Sequence, residues 1–185
     1  MLYIIRHGRT DWNDKKKLQG WTDIPLNENG RQMAIEAGIK AKNVHFDICF
    51  CSPLVRAIET ARLFLNGRDV PIVIDDRLKE MGFGICEGIE NVYEREDIPV
   101  NIFFRQPQNY RGVKNGETIE ELVARTSDFL KDKVKPLLDE GKDVLIVGHG
   151  ATNSCIINQI RKLPLEKFWN EDISNCKLIK LCSDI

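Results

Sequence analysis

The chain opens Met1-Leu2-Tyr3-Ile4-Ile5-Arg6-His7-Gly8, and the other segments find their places around that octapeptide. Leu2 to Ile5 is a short apolar run rich in β-formers, which reads as a buried strand. It stops at a cation, an imidazole and a glycine that lets the backbone turn away. Open α/β sheets place their ligands beyond the carboxyl ends of their strands. Val144-Leu145-Ile146-Val147 repeats the pattern and ends in Gly148-His149-Gly150. Two of the three histidines thus stand at strand ends, and they read as facing parts of one site.

Three further strands are expected: Phe46 to Cys51, Ile72 to Ile74, and Lys177 to Leu181. Helical segments separate them. Met33, Ala34, Ala37, Gly38 and Ala41 follow a helical period after Asn27. Ser52-Pro53 predicts a helix start, with Ser52 as N-cap and Leu54, Ala57, Ile58, Ala61 and Leu65 turned inward. Ile119, Leu122, Val123, Phe129, Leu130 and Val134 give one apolar face to a long helix after Gly116-Glu117-Thr118. Another helix follows over Ala151 to Ile160. Strands alternating with helices, without hairpin turns, predict a mainly parallel sheet covered on both faces. Arg9 to Asn29 reads as a long polar loop, with Trp12 and Trp21 expected to fold back onto the body. Glu90 to Arg111 is expected to form short helical pieces above the sheet's ligand edge.

A chain of 185 residues suits a single domain with one sizeable core. Its net charge of -1 gives no global pull toward nucleic acid or membrane surfaces. Any anion site must therefore be a local concentration of arginine. The Lys15-Lys16-Lys17 run reads by default as a solvated loop, and more sharply as a rim that attracts an anionic substrate. Six cysteines, at 49, 51, 86, 155, 176 and 182, include no Cys-x-x-Cys pair. Most lie in apolar runs, where free cysteine behaves as a small hydrophobe. A reduced, cytoplasmic setting is expected, and no apolar stretch is long enough for a bilayer span.

Arg6, His7, Arg56, Glu80 and His149 are the candidates to converge at the ligand edge. Arginine presents a fork of donors that suits phosphate oxygens. A neutral imidazole is a nucleophile near neutral pH, and a glutamate can pass a proton to a leaving group. No metal-ligand spacing appears, and no glycine-rich phosphate loop ends in Lys-Ser or Lys-Thr. The coherent chemistry is phosphoryl transfer through a phosphohistidine, without metal or other cofactor. Each residue alone has an ordinary reading: a packed strand-end histidine, a surface arginine, a loop acid. It is their conjunction that carries the inference.

The ordered series of motifs resembles the histidine phosphatase superfamily, in the branch of phosphoglycerate mutases and small phosphomonoesterases. It runs from Arg6-His7-Gly8 with Thr10, Trp12 and Asn13 to Gly20-Trp21-Thr22-Asp23, then Cys51-Ser52-Pro53-Leu54 with Arg56-Ala57. Glu80 with Phe83-Gly84 and Glu87-Gly88, Gly116-Glu117-Thr118, and Gly148-His149-Gly150 complete it. The resemblance implies a three-layer α/β/α sandwich. It implies His7 as nucleophile, Arg6, Arg56 and His149 around the phosphoryl group, and Glu80 as proton donor. It also implies substrate contacts at Asn13, Gly8, Gly20 and Gly150, and a small phosphorylated metabolite as the partner. Arg9 stands where the family often has glutamate, which predicts a more cationic pocket; Cys86 replaces a frequent tryptophan and Gly148 a frequent serine. Mutases of the family carry cations just after the catalytic acid, whereas Met81-Gly82-Phe83-Gly84 has none. Hydrolysis is therefore the favoured reading, similar to α-ribazole phosphatase-like enzymes. Mutase chemistry and a non-catalytic phosphate-binding module are the alternatives.

Overall fold

The chain runs β1 (Leu2–Arg6), α1 (Asp11–Asp14), α2 (Glu28–Lys40), β2 (Ile48–Cys51), α3 (Val55–Phe64), β3 (Ile72–Ile74), α4 (Asn101–Arg105), α5 (Ile119–Phe129), α6 (Lys135–Asp139), β4 (Val144–Gly148), α7 (Gly150–Ile160) and β5 (Leu178–Leu181) in a computed structural model that describes residues 1–181. Cys182 lies outside the described residues. The sheet order is β3-β2-β4-β1-β5. Four strands are parallel, and β5 pairs antiparallel with β1 at one edge.

Alternation along the strands builds the layers, because successive side chains point to opposite faces. Leu2, Ile4, Phe50, Val144 and Ile146 pack on one face against Phe129, Val134, Leu138 and Ile156 from α5 to α7. Tyr3, Ile5, Cys49, Cys51, Leu145 and Val147 pack on the other against Ala34, Ala57, Ala61 and Phe64 from α2 and α3. The result is an α/β sandwich. Both central strands are buried on both faces, which is why β1 and β4 are continuous apolar runs. A third cluster, including Met81, Phe83, Phe103, Tyr110 and Phe168, forms a lid beside α7. Among the described residues no helix is long and apolar enough to cross a membrane.

Two expectations about local structure need correction. The Arg9–Asn29 segment contains a helical turn, α1, closed by a reciprocal cap between Thr10 and Asn13. Trp12 is half-buried, but Trp21 stays 51% exposed and is tied down chiefly at one ring face and its indole N–H. Ser52 is not the cap of α3: the helix begins at Val55 with Leu54 before it and no side-chain cap. Ser52 is engaged elsewhere. Its hydroxyl lies 2.7 Å from His149 Nε2, a partner supplied by the end of another strand.

Candidate active site

The parallel pairing of β1 with β4 sets Arg6 opposite Gly148. His7 and His149 therefore leave adjacent strands at the same level, and His7 N–H donates to the Gly148 carbonyl at 3.0 Å. Their ring centroids are 5.1 Å apart. Both are almost wholly buried. His7 Nδ1 is 2.7 Å from the Gly8 carbonyl. A carbonyl can only accept, so Nδ1 carries the proton and Nε2 keeps its lone pair. Ser52 Oγ accepts from Leu54 N–H. The same hydroxyl lies 2.7 Å from His149 Nε2, and Nδ1 of that ring has no partner among the described residues. Burial, followed by the charges of Arg56 and Arg6, holds His7 well below the usual imidazole range. Burial, then Arg56, does the same to His149. Both rings are neutral at physiological pH.

Arg56 lies in the first turn of α3 and is fully buried. Burial lowers its pKa to about 10, against the pull of Glu80, Asp23 and Glu87, so it remains a cation at neutral pH. Its guanidinium donates to the Gly20 carbonyl at 2.7 Å and the Thr22 carbonyl at 3.0 Å. Arg6 donates to the Ile173 carbonyl at 3.0 Å. Arg6 Nε and Arg56 Nε are buried donors with no acceptor among the described residues. Buried donors rarely go unmatched. Arg6 and Arg56 thus keep donors free beside His7, and donors of that kind suit anionic oxygens.

Glu80 sits in a stretch without regular structure. Its carboxylate accepts from Met81 N–H at 2.9 Å, Thr152 N–H at 3.1 Å and Ala151 N–H at 3.2 Å, so the start of α7 orients it. The Glu80 carbonyl accepts from Trp21 Nε1 at 2.7 Å. Glu87 ties the neighbouring loops together by accepting from the amides of Trp21, Thr22 and Phe83.

Arg6, His7, Asn13, Glu80 and Gly150 line one cavity of about 450 Å³. Asn13 gives its side-chain oxygen to Thr10 N–H at 3.0 Å, which leaves its amide nitrogen to serve the cavity. Arg56 and His149 stand behind His7, fully buried. Gly8 and Gly20, expected as substrate contacts, do not line the cavity. Gly8 N–H is spent on Thr60 Oγ1 at 2.9 Å, and the Gly20 carbonyl orients Arg56. Of the lysine run, Lys15 and Lys16 are exposed, whereas Lys17 lines the cavity. Gln19, Phe83, Tyr93, Trp169 and the Glu171–Ser174 segment line it as well. Phe83 belongs to the motif series, but nothing in the local sequence of the others distinguishes them. Phe104 also lines the cavity, but Phe103 and Tyr110 are lid core, Arg105 pairs with Glu96 and Arg111 with Glu120. His45, Asp47 and Asp143 form a ligand-like group at the opposite edge of the sheet, where Met1 and Lys142 already neutralise the two acids.

Residues 2–184 match the histidine phosphatase superfamily, branch 1. The chain belongs to that superfamily. A 2,3-bisphosphoglycerate-dependent phosphoglycerate mutase from Cytophaga hutchinsonii is 35% identical over 183 residues, spanning 96% of this chain and 83% of that protein. The structure of Bacillus stearothermophilus YhfR superposes with a TM-score of 0.85 at 32% identity, covering 96% of this chain and 88% of the other. The α-ribazole phosphatase from Shigella flexneri gives 0.80 at 28% identity, covering 96% and 87%. Within this histidine phosphatase fold the three departures from the family pattern find local explanations. Arg9 does not make the pocket more cationic: it pairs with Asp14 at 2.6 Å, outside the cavity lining. Cys86 is packed in the lid cluster. Gly148 leaves room for Asn153, whose amide donates to the Ile5 carbonyl.

Proposed function

We propose that the protein hydrolyses phosphomonoesters of small metabolites through a phosphohistidine, without metal. The observation that carries this reading is the His7 imidazole: neutral, with its Nε2 lone pair free, and ringed by buried donors that lack acceptors. Nε2 attacks phosphorus as the bond to the leaving oxygen breaks, and Glu80 passes a proton to that oxygen. Arg6, Arg56 and His149 stabilise the charge on the non-bridging oxygens, a positioning and electrostatic task in phosphoryl transfer. Glu80 then takes a proton from water, whose oxygen attacks phosphorus. The P–N bond breaks, and phosphate leaves with His7 neutral again.

The name of the Cytophaga relative favours a mutase as the second reading. A mutase must also hold a carboxylate and a second phosphate. Met81 to Gly84 supply no cation for that, and Lys17 on the cavity wall already faces Glu90 at 3.8 Å. Hydrolysis therefore fits better. The Shigella relative's α-ribazole phosphate is one substrate to include in a panel.

The test is release of phosphate from p-nitrophenyl phosphate without added metal. We expect turnover that survives chelator and is inhibited by vanadate, with acid-stable label absent and base-stable label trapped on His7. Label on a serine, cysteine or aspartate would overturn the mechanism. Interconversion of phosphoglycerates that depends on the bisphosphate, with little hydrolysis, would establish the mutase instead.

A further inference from the structure

Glu80 poses a physical problem that His7 does not. A proton donor must meet its target within hydrogen-bond reach, yet Arg77 to Phe83 offers only one turn of 3-10 helix and no strand to fix the acid's backbone. The constraint comes from elsewhere. Arg125, on α5, aims its guanidinium at this stretch from 45 residues away in sequence, donating to the Glu80 carbonyl at 3.1 Å and to the Arg77 carbonyl at 2.5 Å. The same group pairs bidentately with Glu117 at 2.6 and 2.9 Å. Glu117 accepts from Gly82 N–H through its side chain and donates its own N–H to the Gly82 carbonyl at 2.7 Å. From the opposite side Trp21 Nε1 reaches the Glu80 carbonyl. That one carbonyl thus accepts from two side chains carried by segments remote from it and from each other.

The flanks of Trp21 have a second task. The carbonyls of Gly20 and Thr22, on either side of it, hold the Arg56 guanidinium. One short segment therefore sets the distance between the acid and the cation behind the nucleophile. The Glu117–Arg125 pair is mostly buried, with side-chain exposures of 8% and 17%. If closing the lid were its whole purpose, apolar residues of similar volume would serve at least as well. Its donors instead end on the backbone of the acid.

We infer that Arg125 and Trp21 are positioning residues for Glu80, setting the acid's backbone against the leaving oxygen while α7 holds its carboxylate. The inference rests on the proposed role of Glu80 as proton donor. Neither residue lines the cavity.

The test compares kcat/KM for p-nitrophenyl phosphate, a good leaving group, with that for glycerol 2-phosphate, a poor one. Arg125→Lys keeps a charge for Glu117 but loses the planar fork. Trp21→Phe removes one donor from a half-exposed ring, so it is expected to fold even where Arg125→Lys does not. A misplacement of about 1 Å costs on the order of a hundredfold in well-oriented catalysis. Each variant is expected to lose at least about tenfold on glycerol 2-phosphate and less than about threefold on p-nitrophenyl phosphate. In a Glu80→Gln background neither substitution should lower kcat/KM further, because the group being positioned no longer donates its proton. Equal losses on both esters, or losses that multiply with that of Glu80→Gln, would assign the pair a structural role and overturn the inference. Were Glu80→Gln itself to cost both esters equally, the acid role would fall first and the inference with it. Absence of any turnover by the unmodified protein would instead overturn the proposed hydrolysis.

Discussion

His7 and His149 leave neighbouring parallel strands at matched register, whereas Glu80 stands in an irregular stretch between β3 and the lid. The first half of the site is positioned by backbone. The ladder from Leu2–Val144 to Arg6–Gly148 sets both imidazoles with hydrogen bonds that any sequence of suitable residues would make. In the second half, side chains hold the backbone of the acid, and backbone amides of α7 hold its carboxylate. The stretch around Glu80 depends on Trp21, Glu117 and Arg125, all remote in sequence, and on the nearby Glu87. A nucleophile built on strands is set as soon as the sheet forms. An acid built on a loop is set only when the lid and α5 have docked.

The contrast can be broken at several points. The largest effect belongs to His7→Ala, which removes the proposed nucleophile from the cavity lining. Turnover is expected to fall to background and the trapped label to vanish, with the fold intact by circular dichroism. Next comes Arg56→Ala, with an expected loss in kcat of about 10²- to 10³-fold, the scale for removing one transition-state donor. Arg56 also holds the Gly20–Thr22 segment, so this variant should in addition raise protease sensitivity around Trp21. Loss of activity without such loosening would mean that the two halves are not coupled there.

Two glycines sharpen the comparison at smaller scale. A Cβ on Gly8 would stand 2.4 Å from the Gly30 carbonyl oxygen, in backbone that cannot step aside. A Cβ on Gly150 would meet nothing closer than Glu80 Oε2 at 3.5 Å. Gly8→Ala is expected to cost about 2–4 kcal/mol of stability and Gly150→Ala less than about 1 kcal/mol, read from urea unfolding midpoints. Similar costs for both would show that the turn after β1 is softer than its contacts suggest.

The strand half can also be probed through pH. His7 and His149 are held below the usual imidazole range in the folded chain. The unfolded chain therefore takes up protons below about pH 6.5 that the folded chain refuses. Stability is lost as pH falls through that value and is unaffected by these groups above it. The slope is about 1 kcal/mol per pH unit for each buried histidine. Urea midpoints measured between pH 7.5 and 5 should show it, and replacing both histidines with glutamine should flatten it. A flat profile in the unmodified protein would mean that the strand half admits water and charge.

The boundary between what could be read and what could not follows the same division. Both central strands, their histidines and the helical faces were legible because each is a local pattern of side-chain period. Ser52 misled for the opposite reason. Serine before proline reads as a helix cap, but its hydroxyl is taken by His149, 97 residues away. Arg9 misled likewise, since its partner is a neighbouring carboxylate and not the pocket. Arg125 was invisible, because an arginine on an amphipathic helix looks like any solvated cation until the helix docks.

The order of residues along the chain was enough to specify the strands, the sandwich they build, and a pair of imidazoles at one edge of it. Those depend on backbone geometry and on burial, which are properties of short segments. Which lone pair on His7 is free, which donors are left unmatched, and where Glu80 stands were set only by packing. Each of those rests on a hydrogen bond between groups far apart in sequence, and such a bond has no local signature before the chain has folded.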